Sequence, residues 1–140
     1  MVSQSEQRRR IKGRKESGSF IGIPHQCLEH PNFFILNSYS VKLLMDICAQ
    51  YKGKNNGDLS CTWSLMKDRG WKSESTLNKA KKDLLHYGWI ITSRQGGLNR
   101  CSLFAITFKT IDYCNGKLDI KETHVPPHTW KLDPLLRDTK

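Results

Sequence analysis

The sequence predicts one α+β domain that is mostly helical and carries a single β-hairpin. Apolar residues recur at helical spacing in the segments 38–51 and 73–87, and a glycine follows each of two predicted helices. Two runs rich in Ile, Thr and Phe then flank a Gly-Gly pair, which is typical of a hairpin. At 140 residues the chain fits one domain with tails.

The composition points to an anionic partner. The chain has 23 Lys and Arg residues against 13 Asp and Glu residues, which gives a formal net charge of +10. Such a charge favours polyanions, although solubility alone and anionic membrane surfaces are open alternatives. No apolar run approaches the roughly 20 residues of a membrane span, and the first residues lack a signal-peptide pattern, so we expect a cytoplasmic protein without membrane association.

Three regions are expected along the chain: a basic flexible arm over residues 1–18, a folded domain over 19–110, and a partly irregular extension over 111–140. The arm is rich in cations and has almost nothing to bury. It serves either as a solvated tail or as a contact to a DNA backbone or minor groove. Its cationic residues are Arg8, Arg9, Arg10, Lys12, Arg14 and Lys15.

The first half of the folded domain is expected to be helical. Pro24 suits the start of a short helix that ends before Pro31. A longer amphipathic helix is predicted over residues 38–51, capped by Ser38 or Ser40, with Asp46 on an outer face. Its apolar positions are Val41, Leu44, Ile47, Cys48 and Tyr51. Residues 59–61 are expected to form a short strand.

Two further helices precede the hairpin. The first begins at Thr62 and ends at Gly70, and the second begins at Ser73 or Ser75 and ends before Gly88. The inner positions of the second are Leu77, Ala80 and Leu84. The hairpin is predicted within residues 89–108. The order helix, short strand, helix, tight turn, helix, hairpin is that of a winged helix.

The segment 65–90 resembles the helix-turn-helix of bacterial winged-helix regulators such as the GntR and MarR families. The residues that carry the resemblance are Gly70, Ser75, Thr76, Leu77, Ala80, Leu84, Gly88, Trp89 and Ile90. It implies a winged helix-turn-helix that binds DNA. This chain departs from the pattern by one additional residue between Gly70 and Leu77, and by Lys81 at a usually apolar place. The opening FIGIP segment is more weakly similar to winged helices of phage and plasmid replication proteins.

The outward face of the third helix favours a DNA contact independently of this resemblance. It combines hydroxyl, amide and ammonium groups, which suit base edges and phosphates in a major groove, although many surface helices are polar and Glu74 would repel phosphate. The expected DNA-binding residues there are Ser73, Ser75, Thr76, Asn78, Lys79 and Lys82. Arg94 and Arg100 are expected to project from the hairpin, either to grip DNA or to keep the tip soluble.

No catalytic constellation stands out, so a non-enzymatic protein without cofactors is expected. His25, Cys27 and His30 lie close together but lack a second ligand cluster, so no metal site is predicted. Free thiols are expected, and Trp63, Trp71 and Trp89 are expected in the core. The predicted function is sequence-specific binding of double-stranded DNA by a small transcriptional regulator, without a small-molecule ligand. A homodimer, a replication role, a protein-interaction module and single-strand or RNA binding remain open alternatives.

Overall fold

The computed structural model describes residues 18–134 and has the predicted α+β class. Within that range the chain forms five α-helices and one two-stranded antiparallel sheet. The helices are α1 (His25–Leu28), α2 (Pro31–Phe34), α3 (Ser38–Cys48), α4 (Trp63–Met66) and α5 (Glu74–His86), and the strands are β1 (Ile90–Arg94) and β2 (Leu103–Ile106). Single 3-10 turns lie at Lys67–Arg69, Cys114–Gly116 and Thr129–Lys131.

Prolines begin both short N-terminal helices. Pro24 occupies the N-cap position of α1, as its sequence context predicts. Pro31 was expected only to end that helix, but it is also the first residue of α2, where its fixed φ and missing N–H suit a helix start. The side chain of His30 caps α2 by accepting a hydrogen bond from the Asn32 N–H at 3.0 Å.

Helix α3 lies at the centre of the core. Leu44, Ile47 and Cys48 are buried, as their spacing predicts, whereas Val41 and Tyr51 are only partly buried against the core. The helix ends at Cys48 and not at Tyr51. The expected serine caps are also wrong: the side chain of Asn37 accepts the hydrogen bond from the Ser40 N–H at 2.9 Å.

The segment 62–88 follows the predicted helix boundaries closely. Thr62 is the N-cap residue of α4, which continues into the 3-10 turn Lys67–Arg69. Gly70 ends this turn with a φ of 93°, a left-handed conformation that glycine adopts without a Cβ penalty. The Oγ of Ser73 caps α5 by accepting from the Thr76 N–H at 3.3 Å. Gly88 has a φ of 78° just beyond the end of α5.

Helix α5 turns its apolar positions inward. Leu77, Ala80 and Leu84 are 0%, 2% and 0% exposed, as the helical spacing predicts. The Oγ of Ser40 on α3 donates to the carboxylate of Asp83 on α5 at 3.1 Å, which adds a polar contact between the two helices.

The hairpin packs its two strands in antiparallel register, with Ile90 opposite Ile106 and an irregularity between Thr92 and Arg94. Leu59 makes a single antiparallel bridge with Phe104, through hydrogen bonds of 3.3 and 2.8 Å. The strand expected over residues 59–61 is therefore reduced to one bridging residue.

A buried amide closes the end of the sheet. Asn56 is 0% exposed, and its side chain accepts from the Ile106 N–H at 2.7 Å while donating to the carbonyls of Ile106 and Thr110 at 2.8 Å each. Its backbone N–H donates to the Asp112 carboxylate at 2.8 Å. Because every bond compensates a buried polar group, the side chain fixes the loop before Leu59 against the end of β2.

The described part of the 111–140 extension is irregular but contributes to the core. Trp130 is 1% exposed, and its ring stacks on that of Trp89 with centroids 5.4 Å apart and planes 7° from parallel. Asn32 joins both residues: its carbonyl accepts from the Trp89 Nε1–H at 3.0 Å, and its Nδ2 donates to the Trp130 carbonyl at 2.7 Å. The extension thus fastens α2 to the start of the hairpin.

Among residues 18–134, no helix is long and apolar enough to cross a membrane.

Candidate nucleic-acid interface

The solvent face of α5 carries four of the six contact residues predicted for this helix and its cap. Ser75, Asn78, Lys79 and Lys82 are exposed, whereas Thr76 is half-buried. The apolar side of the same helix is buried, so the helical period of 3.6 residues holds these polar groups toward solvent. The face offers one amide, two ammonium groups and a hydroxyl from a single rigid element.

The start of α5 is polar, and some of its polar groups already form hydrogen bonds within the chain. The Ser73 hydroxyl lies 3.0 Å from the Ser75 hydroxyl and also accepts from the Thr76 N–H. Glu74, exposed in the first turn, stabilises the positive end of the helix dipole but also adds a negative charge there. Ser73 therefore acts first as a cap, and Ser75 is the more accessible hydroxyl.

The departure at Lys81 leaves the register of α5 intact. Lys81 is half-buried, and its Nζ lies 5.9 Å from the centroid of the Phe104 ring on β2. Its aliphatic stem can therefore cover the hairpin while the ammonium group stays near solvent. Leu85, one helical turn after Lys81, packs against the core. The hairpin thus lies beside α5 at Lys81.

The turn between α4 and α5 is anchored by Asp46 on α3. This carboxylate is 5% exposed, so its expected outer position is wrong. It accepts from the Trp71 Nε1–H at 2.8 Å, the Lys42 Nζ at 2.8 Å and the Arg69 Nε–H at 3.0 Å. Burial of the carboxylate raises its pKa, but the hydrogen bonds from these three partners outweigh burial, and the net pKa lies below the ordinary value.

Residues beyond the predicted set line the approach to α5. A cleft of about 140 Å³ opens at its start and is lined by Tyr39, Lys42, Gly70, Trp71, Lys72, Ser73 and Thr76. Lys72 is exposed directly before the helix cap, and the Tyr39 side chain is 56% exposed. Tyr39 lies in the helix predicted over residues 38–51 but off its apolar positions, and Lys72 lies in the predicted turn, so neither was identified as a contact residue. They extend the polar and aromatic surface beside Ser75.

The two hairpin arginines do not project freely from the tip, contrary to expectation. The Arg94 Nη2 donates to the Cys101 carbonyl at 3.0 Å, and the Arg100 Nε and Nη2 donate to the Gln95 carbonyl at 3.2 and 3.0 Å. Arg100 also lies 3.5 Å from a carboxylate oxygen of Asp119. Each guanidinium therefore folds back on the hairpin, where a backbone carbonyl accepts its hydrogen bonds.

The remaining predicted contacts, the arm residues Arg8, Arg9, Arg10, Lys12, Arg14 and Lys15, lie outside the described residues 18–134. Their role in DNA binding stays a prediction.

The thiols differ in accessibility. Burial raises the pKa of Cys27 to about 11 and the pKa of both Cys48 and Cys61 to about 12. Cys101, by contrast, is exposed on the hairpin, and Cys114 is half-buried. In the part of the chain that the structure describes, no group of three or more His, Cys, Asp or Glu residues is placed to hold a metal ion.

No family model, curated protein or solved structure matches this chain.

Proposed function

We propose that this chain is a sequence-specific, duplex DNA-binding protein of the winged-helix type that acts as a small transcriptional regulator. The observation that carries the proposal is the division of α5 into a buried apolar side and an exposed side with Asn78, Lys79 and Lys82. A net charge of +10 adds a long-range attraction to phosphate.

The order of elements supports the winged-helix assignment. Helix α3 is followed by the bridging residue Leu59, then by α4, a turn, α5 and the hairpin. In this arrangement α5 is the recognition helix and the hairpin is the wing. The single bridge between Leu59 and Phe104 takes the place of the short strand that joins the first helix to the wing.

The groups on α5 match the chemistry of a major groove. The Asn78 amide can form two hydrogen bonds with adenine, to N6 and N7 in the major groove. The Lys79 ammonium can reach guanine or phosphate. Lys82 lies one turn further along the helix, where the backbone is the nearer target because the first turns of a recognition helix enter deepest.

The salt dependence of binding tests the proposal. Fluorescence anisotropy of a labelled duplex gives the association constant at several salt concentrations, and log K should fall by about 0.9 for each phosphate contact per tenfold increase in salt. Lys82→Ala should weaken binding and reduce this slope by about one contact. Lys54→Ala is the matched control, because it removes an equal charge from an exposed loop outside the helix-turn-helix.

Two results would contradict the proposal. One is the absence of duplex binding at low salt. The other is an equal loss of affinity and of salt slope in Lys82→Ala and Lys54→Ala, which would mean that Lys82 contributes only its charge. Binding-site selection from random duplexes then tests sequence specificity, and the spacing of any half-sites reveals whether a dimer binds.

A further inference from the structure

The hairpin tip presents a large apolar side chain to solvent. Leu98 is 94% exposed and lies in a two-residue turn with Asn99, whose φ of 61° is left-handed. Gly97 and Arg100 close this turn by exchanging backbone hydrogen bonds of 3.0 and 3.2 Å. A single exposed leucine is ordinary on a protein surface. What distinguishes Leu98 is its position at the hairpin tip and the hydrogen-bonded backbone around it.

The backbone beneath Leu98 is braced on both strands. The Gly96 N–H donates to the Ser102 hydroxyl at 2.9 Å, and a Cβ at Gly96 would lie 2.7 Å from the Ser102 nitrogen, so the two strands approach too closely for a side chain there. The Gln95 N–H donates to the Asp119 carboxylate at 2.7 Å. Because the tip is ordered beforehand, little entropy is lost when it enters a groove.

The flanking guanidiniums strengthen this brace and supply positive charge. Arg94 and Arg100 each bind a carbonyl of the opposite strand, and they keep further N–H donors and their charge. Asp119 offsets part of the Arg100 charge at 3.5 Å. With the guanidiniums bound to the hairpin, Leu98 is the side chain best placed to enter a groove first.

We propose that Leu98 is a wedge that enters the minor groove of duplex DNA, separates two stacked base pairs and kinks the duplex. This inference rests on the proposed function and adds a second mode of recognition to it. Apolar side chains at the tips of β-ribbons can separate base steps in this way and bend DNA toward the major groove. Flexible pyrimidine–purine steps would be preferred at the wedge, which gives specificity without a base-edge hydrogen bond.

Energy transfer between dyes at the two ends of a duplex measures the bend. The probe is a selected duplex about 30 base pairs long, and the complex of the full wild-type chain should bring its ends closer together. Leu98→Ala should return the transfer to that of the free duplex at saturating protein, whereas Leu98→Met, which keeps an apolar wedge, should retain most of the change. Val125→Ala is the matched control, because it trims an exposed apolar side chain outside the hairpin.

The outcomes separate this inference from the proposed function. A wild-type complex that leaves the duplex straight, or a Leu98→Ala complex that bends it equally, would overturn the wedge while leaving duplex binding in place. A wild-type chain that enriches no duplex in the selection would overturn the proposed function and the wedge together. Loss of the bend in Leu98→Ala, with its retention in Leu98→Met and Val125→Ala, supports the wedge.

Discussion

Asp46 shows how one side chain can position a helix in which it does not lie. Its carboxylate accepts hydrogen bonds from Lys42 on α3 itself and from Arg69 and Trp71 in the turn before α5. Each of the three hydrogen bonds offsets part of the cost of burying this carboxylate, so the loss of any one of them is destabilising. The start of α5 therefore depends on the ionisation of Asp46.

Acid should weaken this anchor. The pKa of Asp46 is lowered in the folded state, so ionised Asp46 contributes stability above the ordinary carboxyl pKa of about 4, and this contribution is lost as the pH falls through the folded-state pKa. Urea unfolding followed by tryptophan fluorescence should show a steeper loss below about pH 4 for the wild type than for Asp46→Asn. At neutral pH, Asp46→Asn should cost about 1–3 kcal/mol.

Asp68→Asn provides the control for this experiment, since Asp68 is exposed in the 3-10 turn next to the anchor. Its curve should run parallel to that of the wild type. Parallel curves for the wild type and Asp46→Asn would show that Asp46 does not link proton binding to folding.

At the scale of the element, the proposed function gives the exposed residues of α5 two different roles. Asn78 lies in its second turn and Lys82 one turn later. If the early turns enter the groove, Asn78→Ala should relax the preference at one base pair and cost about 1–3 kcal/mol at the best site. Lys82→Ala should weaken selected and random duplexes alike. Binding-site selection with each variant measures both effects, and an unchanged motif for Asn78→Ala would remove Asn78 from the reading face.

The segment around Trp130 acts as a clasp between α2 and the hairpin. Trp130→Ala should lower the free energy of unfolding by about 3–5 kcal/mol, because it removes a fully buried ring from a stack with Trp89. Phe34→Ala, which removes a ring that is 67% exposed, should change stability little. Urea denaturation compares the two variants, and similar losses would mean that the clasp is not part of the cooperative core.

Local sequence patterns predicted the helices and the hairpin. The positions that were not predicted depend on contacts between residues far apart in the sequence. Leu77, Ala80 and Leu84 could be placed in the core because helical spacing alone selects a buried face. Asp46 was expected on an outer face and Trp130 was not placed, because Arg69, Trp71, Asn32 and Trp89, which contact them, lie far away in the sequence. The hairpin was predicted, but the direction of its arginines depends on which carbonyls lie within reach. The candidate contacts on α5 were predictable as a face, while Tyr39 and Lys72 were not.

At the scale of the whole molecule, the excess of positive charge is unevenly distributed along the chain. Six cations lie between residues 8 and 15. Because the arm has few apolar residues to fix it against base edges, removing it should lower affinity and the salt slope but leave the preferred sequence unchanged. Anisotropy titrations of the chain without residues 1–18 test this. A variant that keeps the arm's length but has glutamines for its six cations should behave as the deletion does, and an unchanged slope in both would place the arm away from DNA.

Alkylation of the buried thiols can report which parts of the folded chain open locally. Cys27, Cys48 and Cys61 lie in three separate stretches of the core, and burial both shields their thiols from solvent and raises the pKa of each. An alkylating reagent can therefore reach each of them only when that stretch opens, whereas Cys101 is accessible without opening. The order in which the three buried thiols acquire the label would rank the local opening free energies around α1, α3 and the start of α4.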